Sequence, residues 1–140
     1  MTDSRYVPRS LSDEPGSFGR AELLRWKTSD TIAGSARIRA ARLQHLYAIR
    51  IRKRIIDERT TAKEFASNAG ISYDRLMKVL RGEMIMRLED IAAADLILGE
   101  VSELAIREAN RRRQIERDMA LSAGRVPSAV VGLVGEPVAG

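Results

Sequence analysis

Residues 61–99 constrain the fold of this chain more than any other part of the sequence. Ala66 and Gly70 stand four residues apart within this segment. The apolar residues that follow them are Ile71, Leu76 and Val79. A small residue followed by glycine at this spacing lets one short helix cross closely over another, with only a tight turn between them. The segment therefore predicts two short helices joined by a turn, and a further helix over 88–98 that ends at Gly99.

Capping residues mark the ends of the two short helices. Glu64 follows Thr61 at the spacing of a capping box, in which a hydroxyl and a carboxylate satisfy the first backbone N–H groups of a helix. Ser72 is expected to cap the second helix. Gly70 and Gly82 follow the last helical residues, where a residue that adopts positive φ is favoured. These signals place both helices and the turn between them.

The remaining sequence predicts an all-α fold of about five helices. Apolar residues at helical spacing predict a long helix over 36–59, with its cap at Ser35. The apolar residues of that helix are Ile38, Leu43, Leu46, Tyr47, Ile51 and Ile55. Trp26 is expected to anchor the N-terminal segment, and His45 to be a surface or packing residue. The sequence predicts four segments. Residues 1–35 form an N-terminal arm with no core of its own and a short helix at 20–27, and residues 36–99 form a helix-turn-helix domain. Residues 100–122 form a C-terminal helix that is a candidate for dimerisation, and residues 123–140 form a flexible tail.

The charge distribution points to a polyanionic partner. The chain carries a net charge of +5 and has a pI of about 10.1, and the basic excess is concentrated in residues 36–82. Such clustering is typical of a surface that faces nucleic acid, although a solvated arginine-rich helix is the alternative. Because the chain has no Cys and one His, we expect no disulfide, no metal site and no cofactor. The absence of a long apolar run predicts a soluble cytoplasmic protein without a membrane partner.

The motif resembles the lambda-repressor-like (XRE/Cro-like) helix-turn-helix family. The matching residues are Thr61, Phe65, Ala66, Gly70, Ile71, Ser72, Leu76, Val79, Arg81, Gly82, Leu88 and Gly99. The resemblance implies a lambda-repressor-like bundle whose helix 72–81 enters the major groove of double-stranded DNA. It implies that Tyr73, Asp74 and Lys78 read bases, with Met77 beside them.

Phosphate contacts are expected around these residues. The resemblance implies them for Thr61, Ser72 and Arg81. The arginines of the long helix, Arg50, Arg52 and Arg54 among them, are expected either to grip flanking phosphates or to face solvent. For Asp74 the alternative is a helix-dipole interaction, and for Tyr73 and Lys78 an ordinary surface position.

A sequence-specific transcriptional regulator is the function that these features favour. We expect a repressor of phage or mobile-element type, bacterial or phage-encoded, nucleoid-associated and homodimeric. Residues 84–86 and the C-terminal helix are candidate surfaces for a second subunit or a protein partner. The alternatives are an antitoxin-like interaction module that also binds its own promoter, and a DNA-packaging or replication adaptor. An enzyme is not expected, because the sequence has no phosphate loop, cysteine nucleophile or His-centred site.

Overall fold

A computed structural model describes residues 6–124, apart from the side chains at 103–105 and 109. Within these residues lie five α-helices and no strand, so the predicted all-α class is confirmed there. The helices are α1 (Ile32–Asp57), α2 (Ala62–Ala69), α3 (Tyr73–Leu80), α4 (Leu88–Ile97) and α5 (Glu103–Gly124). No helix in this part of the chain combines the length and the apolarity that a membrane crossing requires. Most of the predicted tail, from residue 125 onward, lies outside the described residues.

The helix caps form as the sequence predicts, with one difference. The Thr61 hydroxyl accepts a hydrogen bond from the Glu64 amide at 3.1 Å, and the Ser72 hydroxyl accepts one from the Arg75 amide at 3.0 Å. The Glu64 carboxylate accepts from the hydroxyl of Thr60 at 2.7 Å. It therefore satisfies a neighbouring side chain, whereas a full capping box would return it to the backbone of Thr61.

The predicted glycine ends of α2 and α3 are confirmed. Gly70 has a φ of 75° and Gly82 a φ of 76°, a region that residues with a Cβ rarely adopt. Gly82 is also required for packing, because a Cβ atom at this position would lie 2.7 Å from the ring of Phe18 and 2.9 Å from the Cβ of Arg9. The end of α3 is thus in direct contact with the N-terminal segment.

That N-terminal segment was expected to be an arm with no core of its own, and this prediction is wrong for residues 6–19. Phe18 is 1% exposed and belongs to the hydrophobic core. The predicted helix at 20–27 is also wrong: the chain there is not helical, and the backbone of Trp26 pairs with that of Ser12. Trp26 does anchor the segment, since its ring lies 6.2 Å from that of Phe18 and 5.7 Å from that of His45.

The core lies between the N-terminal segment and helices α1 to α4. Its buried residues are Phe18, Ala48, Ile51, Ile55, Phe65, Ala66, Leu76, Leu80, Ala94, Leu98 and Val101. Ile51 and Ile55 lie inside as predicted, but Leu43 and Leu46 are 41% and 40% exposed. The buried face of α1 instead carries small and polar residues, which are Ala41, Gln44, His45 and Ala48. These residues let the N-terminal segment and α3 approach α1 closely.

Several boundaries differ by a few residues from those that the sequence predicts, and two of them matter for the description of the fold. α1 begins at Ile32, because Thr31 and not Ser35 provides its N-cap, with its side chain accepting from the amide of Gly34 at 3.0 Å. The chain divides after Glu103 into two compact units, the second of which contains most of α5. Taken by itself, α5 carries exposed apolar side chains at Ile115, Met119 and Leu121.

Candidate functional site

One face of α3 carries the residues for which the sequence predicts contact with a partner. Leu76, Val79 and Leu80 are 3%, 2% and 1% exposed and hold α3 on the core. The residues turned away from these three are Tyr73, Asp74, Met77, Lys78 and Arg81, and together they form what we call the α3 surface. The division follows from the helical repeat, since residues three and four apart share a face.

The exposed centre of the α3 surface is polar and charged. The Lys78 ammonium lies 3.2 Å from the Asp74 carboxylate, one helical turn away. Tyr73 is 45% exposed, and the Lys63 ammonium lies 5.9 Å from the centre of its ring. Lys63 is on α2, so both short helices contribute to this surface. Donors, an acceptor and an aromatic ring are therefore presented together to the outside.

Met77 and Arg81 are less available than the other members of the α3 surface. Met77 is half-buried and packs against the core. The Arg81 guanidinium donates a hydrogen bond from Nε to the Glu83 carboxylate at 2.8 Å, and Glu83 also lies 3.5 Å from the Arg9 guanidinium. Met77 is thus mainly a packing residue, and the charge of Arg81 is partly balanced by Glu83.

Thr61 and Ser72 lie at the N-terminal ends of α2 and α3, where the sequence expects phosphate contacts. Both residues are exposed, and both hydroxyls cap their own helix. The two helix starts carry the partial positive charge of unpaired backbone N–H groups. Their position is compatible with an anionic partner, but the side-chain oxygens already accept intrahelical hydrogen bonds.

The three arginines of α1 for which the sequence expects phosphate contacts do not share one side of the helix. Arg54 donates to the backbone oxygens of Leu98 and Gly99 at 2.7 to 3.2 Å, and so closes the C-terminal end of α4. Arg50 lies on the same side, 3.4 Å from the backbone oxygen of Val101. Arg52, two residues from each, is rotated about 200° away from them around the helix. The structure therefore brings only Arg52 toward α3 and gives Arg54 a structural role.

Arg52 lies in a strongly basic environment. Its burial is the main cause of a lowered pKa, and the positive charges of Arg20 and Arg81 lower that pKa further, while Tyr73 raises it. The Nε and Nη2 atoms of Arg52 are buried and have no hydrogen-bond partner within the described part of the chain. Buried donors are nearly always hydrogen-bonded, so two unsatisfied buried nitrogens in one guanidinium are unusual.

A buried glutamine, which the sequence interpretation missed, fixes the loop after α3. The Gln44 amide donates to the backbone oxygens of Val79 and Met84, both at 2.9 Å, and its oxygen accepts from the Met86 amide at 2.9 Å. Three hydrogen bonds from one side chain hold this loop against α1. The only signal in the sequence is a polar residue between the small residues Ala41 and Ala48 at helical spacing.

The predicted partner surface at residues 84–86 is only partly exposed. Met84 and Ile85 are 38% and 52% exposed. Met86 is half-buried and packs against the core, so it adds less exposed area to that candidate surface than its two neighbours do. Leu88, at the start of α4, is 83% exposed.

Comparisons with known proteins do not assign this arrangement to a family. No family model matches the sequence, and neither a curated protein nor a solved structure matches the chain. Among the residues that the structure describes, no group of His, Cys, Asp or Glu side chains is arranged to hold a metal ion.

Proposed function

We propose that α2 and α3 form a helix-turn-helix of the lambda-repressor-like kind, and that the protein is a sequence-specific double-stranded DNA-binding regulator. On this proposal α3 enters the major groove, and Tyr73, Asp74 and Lys78 meet the edges of the bases. The protein acts as a transcriptional repressor of phage or mobile-element type. No catalytic step and no cofactor are part of this proposal.

The observation that carries the proposal is the division of the short helix α3 into two faces. Leu76, Val79 and Leu80 are buried, while Tyr73, Asp74 and Lys78 face outward beside the basic side chains of Lys63 and Arg52. A lysine can donate to guanine O6 or N7, and a carboxylate can accept from cytosine N4. In free protein the two form an ion pair, which DNA would replace with base contacts.

Binding as a homodimer follows from the small size of the surface. A single short helix reaches only a few base pairs, whereas two subunits on half-sites about 34 Å apart combine their affinity and specificity. The exposed apolar residues of α5 are the surface we propose for dimerisation. Light scattering on the full chain measures this directly: a dimer supports the proposal, and a monomer at micromolar concentration contradicts it.

A protein-interaction role of the antitoxin type is a second candidate. The observation in its favour is the exposure of three apolar side chains, Met84, Ile85 and Leu88, in the segment that follows α3. A module of this kind uses such side chains to hold a partner protein while the helix-turn-helix binds DNA. Ile85→Ser would then abolish partner capture and leave DNA binding intact.

Selection from random duplex DNA tests the proposed function. The full chain is mixed with a randomised duplex library at low salt, and the bound fraction is sequenced over several rounds. Enrichment of one motif with two-fold symmetry supports a dimeric sequence-specific regulator. A bound fraction without any enriched motif, or no bound fraction at all, contradicts it.

A further inference from the structure

The N-terminal segment enters the angle between α1 and the end of α3. A Cβ atom at Gly19 would lie 2.2 Å from the backbone oxygen of Leu80 and 3.3 Å from the Cβ of Ala48. The φ of Gly19 is 76°, and its amide donates to Nδ1 of His45 at 2.9 Å. Only glycine can take this conformation at such short distances. The close approach fixes where the residues next to Gly19 must lie.

Three arginines are brought together by this approach. Arg20 follows Gly19, Arg81 follows Leu80, and Arg52 is one helical turn beyond Ala48. Because Gly19 lies against both Leu80 and Ala48, these three positions come close together in the fold. The electrostatic effect of Arg20 and Arg81 on the pKa of Arg52 agrees with this placement. The cluster belongs to three separate elements, so it is not a by-product of one basic helix.

The charges of this cluster are only partly compensated. Glu83 accepts a hydrogen bond from Arg81, but two buried nitrogen atoms of Arg52 have no acceptor among the described residues. Arginine remains protonated at neutral pH, so the cluster cannot relieve its repulsion by losing a proton. A bound oxyanion would supply the negative charge that the cluster lacks.

We propose that Arg20, Arg52 and Arg81 form a binding site for a single phosphate group. This proposal extends the proposed function, on which the phosphate is one of the DNA backbone, next to the bases that α3 reads. The same chemistry would also hold a free phosphate ion. In either case Arg20, which lies outside the helix-turn-helix segment, becomes part of the binding surface.

Variants of the full chain test the site with two probes. Arg52→Met removes the charge but keeps an unbranched side chain, while Lys53→Met, at the next and exposed position of α1, is the matched control. Inorganic phosphate should raise the Tm of wild type and Lys53→Met but not that of Arg52→Met. Without phosphate, the Tm of Arg52→Met should be no lower than that of wild type, because removal of the Arg52 charge relieves its repulsion with Arg20 and Arg81. Arg20→Gln, at an exposed position, provides a second variant if Arg52→Met does not fold.

The second probe is a short duplex, with binding followed by fluorescence anisotropy over a range of salt concentrations. The slope of log K against log salt should fall by about one for Arg52→Met and for Arg20→Gln, as expected for one lost phosphate contact. Lys53→Met should keep the wild-type slope.

The two probes separate the site from the function. If phosphate raises the Tm of wild type but not that of Arg52→Met, and no duplex binds, the site holds free phosphate and the DNA-binding proposal fails. If the duplex slope alone responds, the site is specific for backbone phosphate. If duplex binds with equal slopes for all variants and phosphate raises each Tm equally or not at all, the site is overturned while DNA binding stands. If neither probe binds wild type, both proposals are overturned.

Discussion

Arg75 and Asp90 form a two-pronged ion pair that joins α3 to α4. The guanidinium donates to both carboxylate oxygens, at 2.8 and 3.0 Å, and the two side chains are only 19% and 12% exposed. Donation of hydrogen bonds to Asp90 is the main cause of a raised pKa of Arg75. Asp90 also accepts from the amide of Arg87 at 2.7 Å, at the start of α4. The position of α3 therefore depends on one carboxylate with two functions.

Removing either partner of this pair should destabilise the protein, and removing the carboxylate should cost more. We expect Arg75→Ala to lower the free energy of unfolding by about 2–3 kcal/mol, because a mostly buried charge loses its partner. Asp90→Ala should cost more, since the Arg87 amide loses its acceptor too. Urea denaturation of both single variants and the double variant measures this. A double variant whose loss equals the sum of the single losses would show that the two residues do not interact.

Gly70 and Gly82 have the same backbone conformation but different surroundings, so alanine should affect them differently. Both substitutions incur the cost of a left-handed residue with a Cβ, about 1–2 kcal/mol. Nothing lies within 4 Å of a Cβ at Gly70, whereas one at Gly82 meets Phe18 and Arg9. Gly82→Ala should therefore be less stable than Gly70→Ala by a further 1 kcal/mol or so. Equal thermal stability of the two variants would show that the N-terminal segment does not pack there.

His45 should make the stability of the protein depend on pH. Burial lowers its pKa below the usual 6.5, an effect that the backbone carbonyl groups of Glu22 and Ala21 partly offset. The unfolded chain then binds the proton more readily than the folded one, so stability is full above about pH 6.5 and falls as the pH falls through the lowered pKa. Protonation also removes the acceptor for the Gly19 amide.

Urea midpoints between pH 7.5 and 5.5 test this dependence. The wild-type midpoint should fall on acidification, whereas His45→Gln should start lower and change little, because the sequence has no other histidine. An unchanged wild-type midpoint over this range would mean that His45 has the same pKa in both states.

Arg54 should matter for folding and not for binding. Arg54→Ala removes the hydrogen bonds to the backbone oxygens of Leu98 and Gly99, which we expect to cost about 1–3 kcal/mol. The salt dependence of DNA affinity should remain that of wild type. Denaturation and DNA-binding assays on Arg54→Ala and Arg52→Met test this. A smaller slope of log K against log salt for Arg54→Ala than for wild type would show that Arg54 contacts DNA.

Short-range signals predicted most of what surrounds α3. The caps at Thr61 and Ser72 and the glycines that end α2 and α3 act through residues no more than four positions away, so their spacing carries the information. The same holds for α4, which the sequence placed at 88–98 and the structure at Leu88–Ile97. The outward face of α3 followed from its helical repeat alone.

Long-range contacts account for the errors. Residues 20–27 have helix-forming side chains, but the Ser12–Trp26 pairing and the hydrogen bond from Lys27 to Leu11 keep them extended. Phe18 looked like part of a loop because its partner, Gly82, is distant in sequence. The buried face of α1 was missed because Ala41 and Ala48 are less hydrophobic than Leu43 and Leu46, and small size rather than hydropathy selects them. The Arg20–Arg52–Arg81 cluster was missed for a similar reason, because it depends on the close approach of the N-terminal segment to α1 and to the end of α3.

Repeating the duplex selection with Lys78→Ala tests most directly whether the α3 surface reads bases. Lys53→Ala, an exposed lysine of α1, serves as the control for the loss of one positive charge. Our account predicts that Lys78→Ala selects the wild-type motif with one position relaxed in each half-site, at a cost of about 1–3 kcal/mol in binding, while the control selects the unchanged motif. A Lys78→Ala variant that selects the full wild-type motif with wild-type affinity would contradict it.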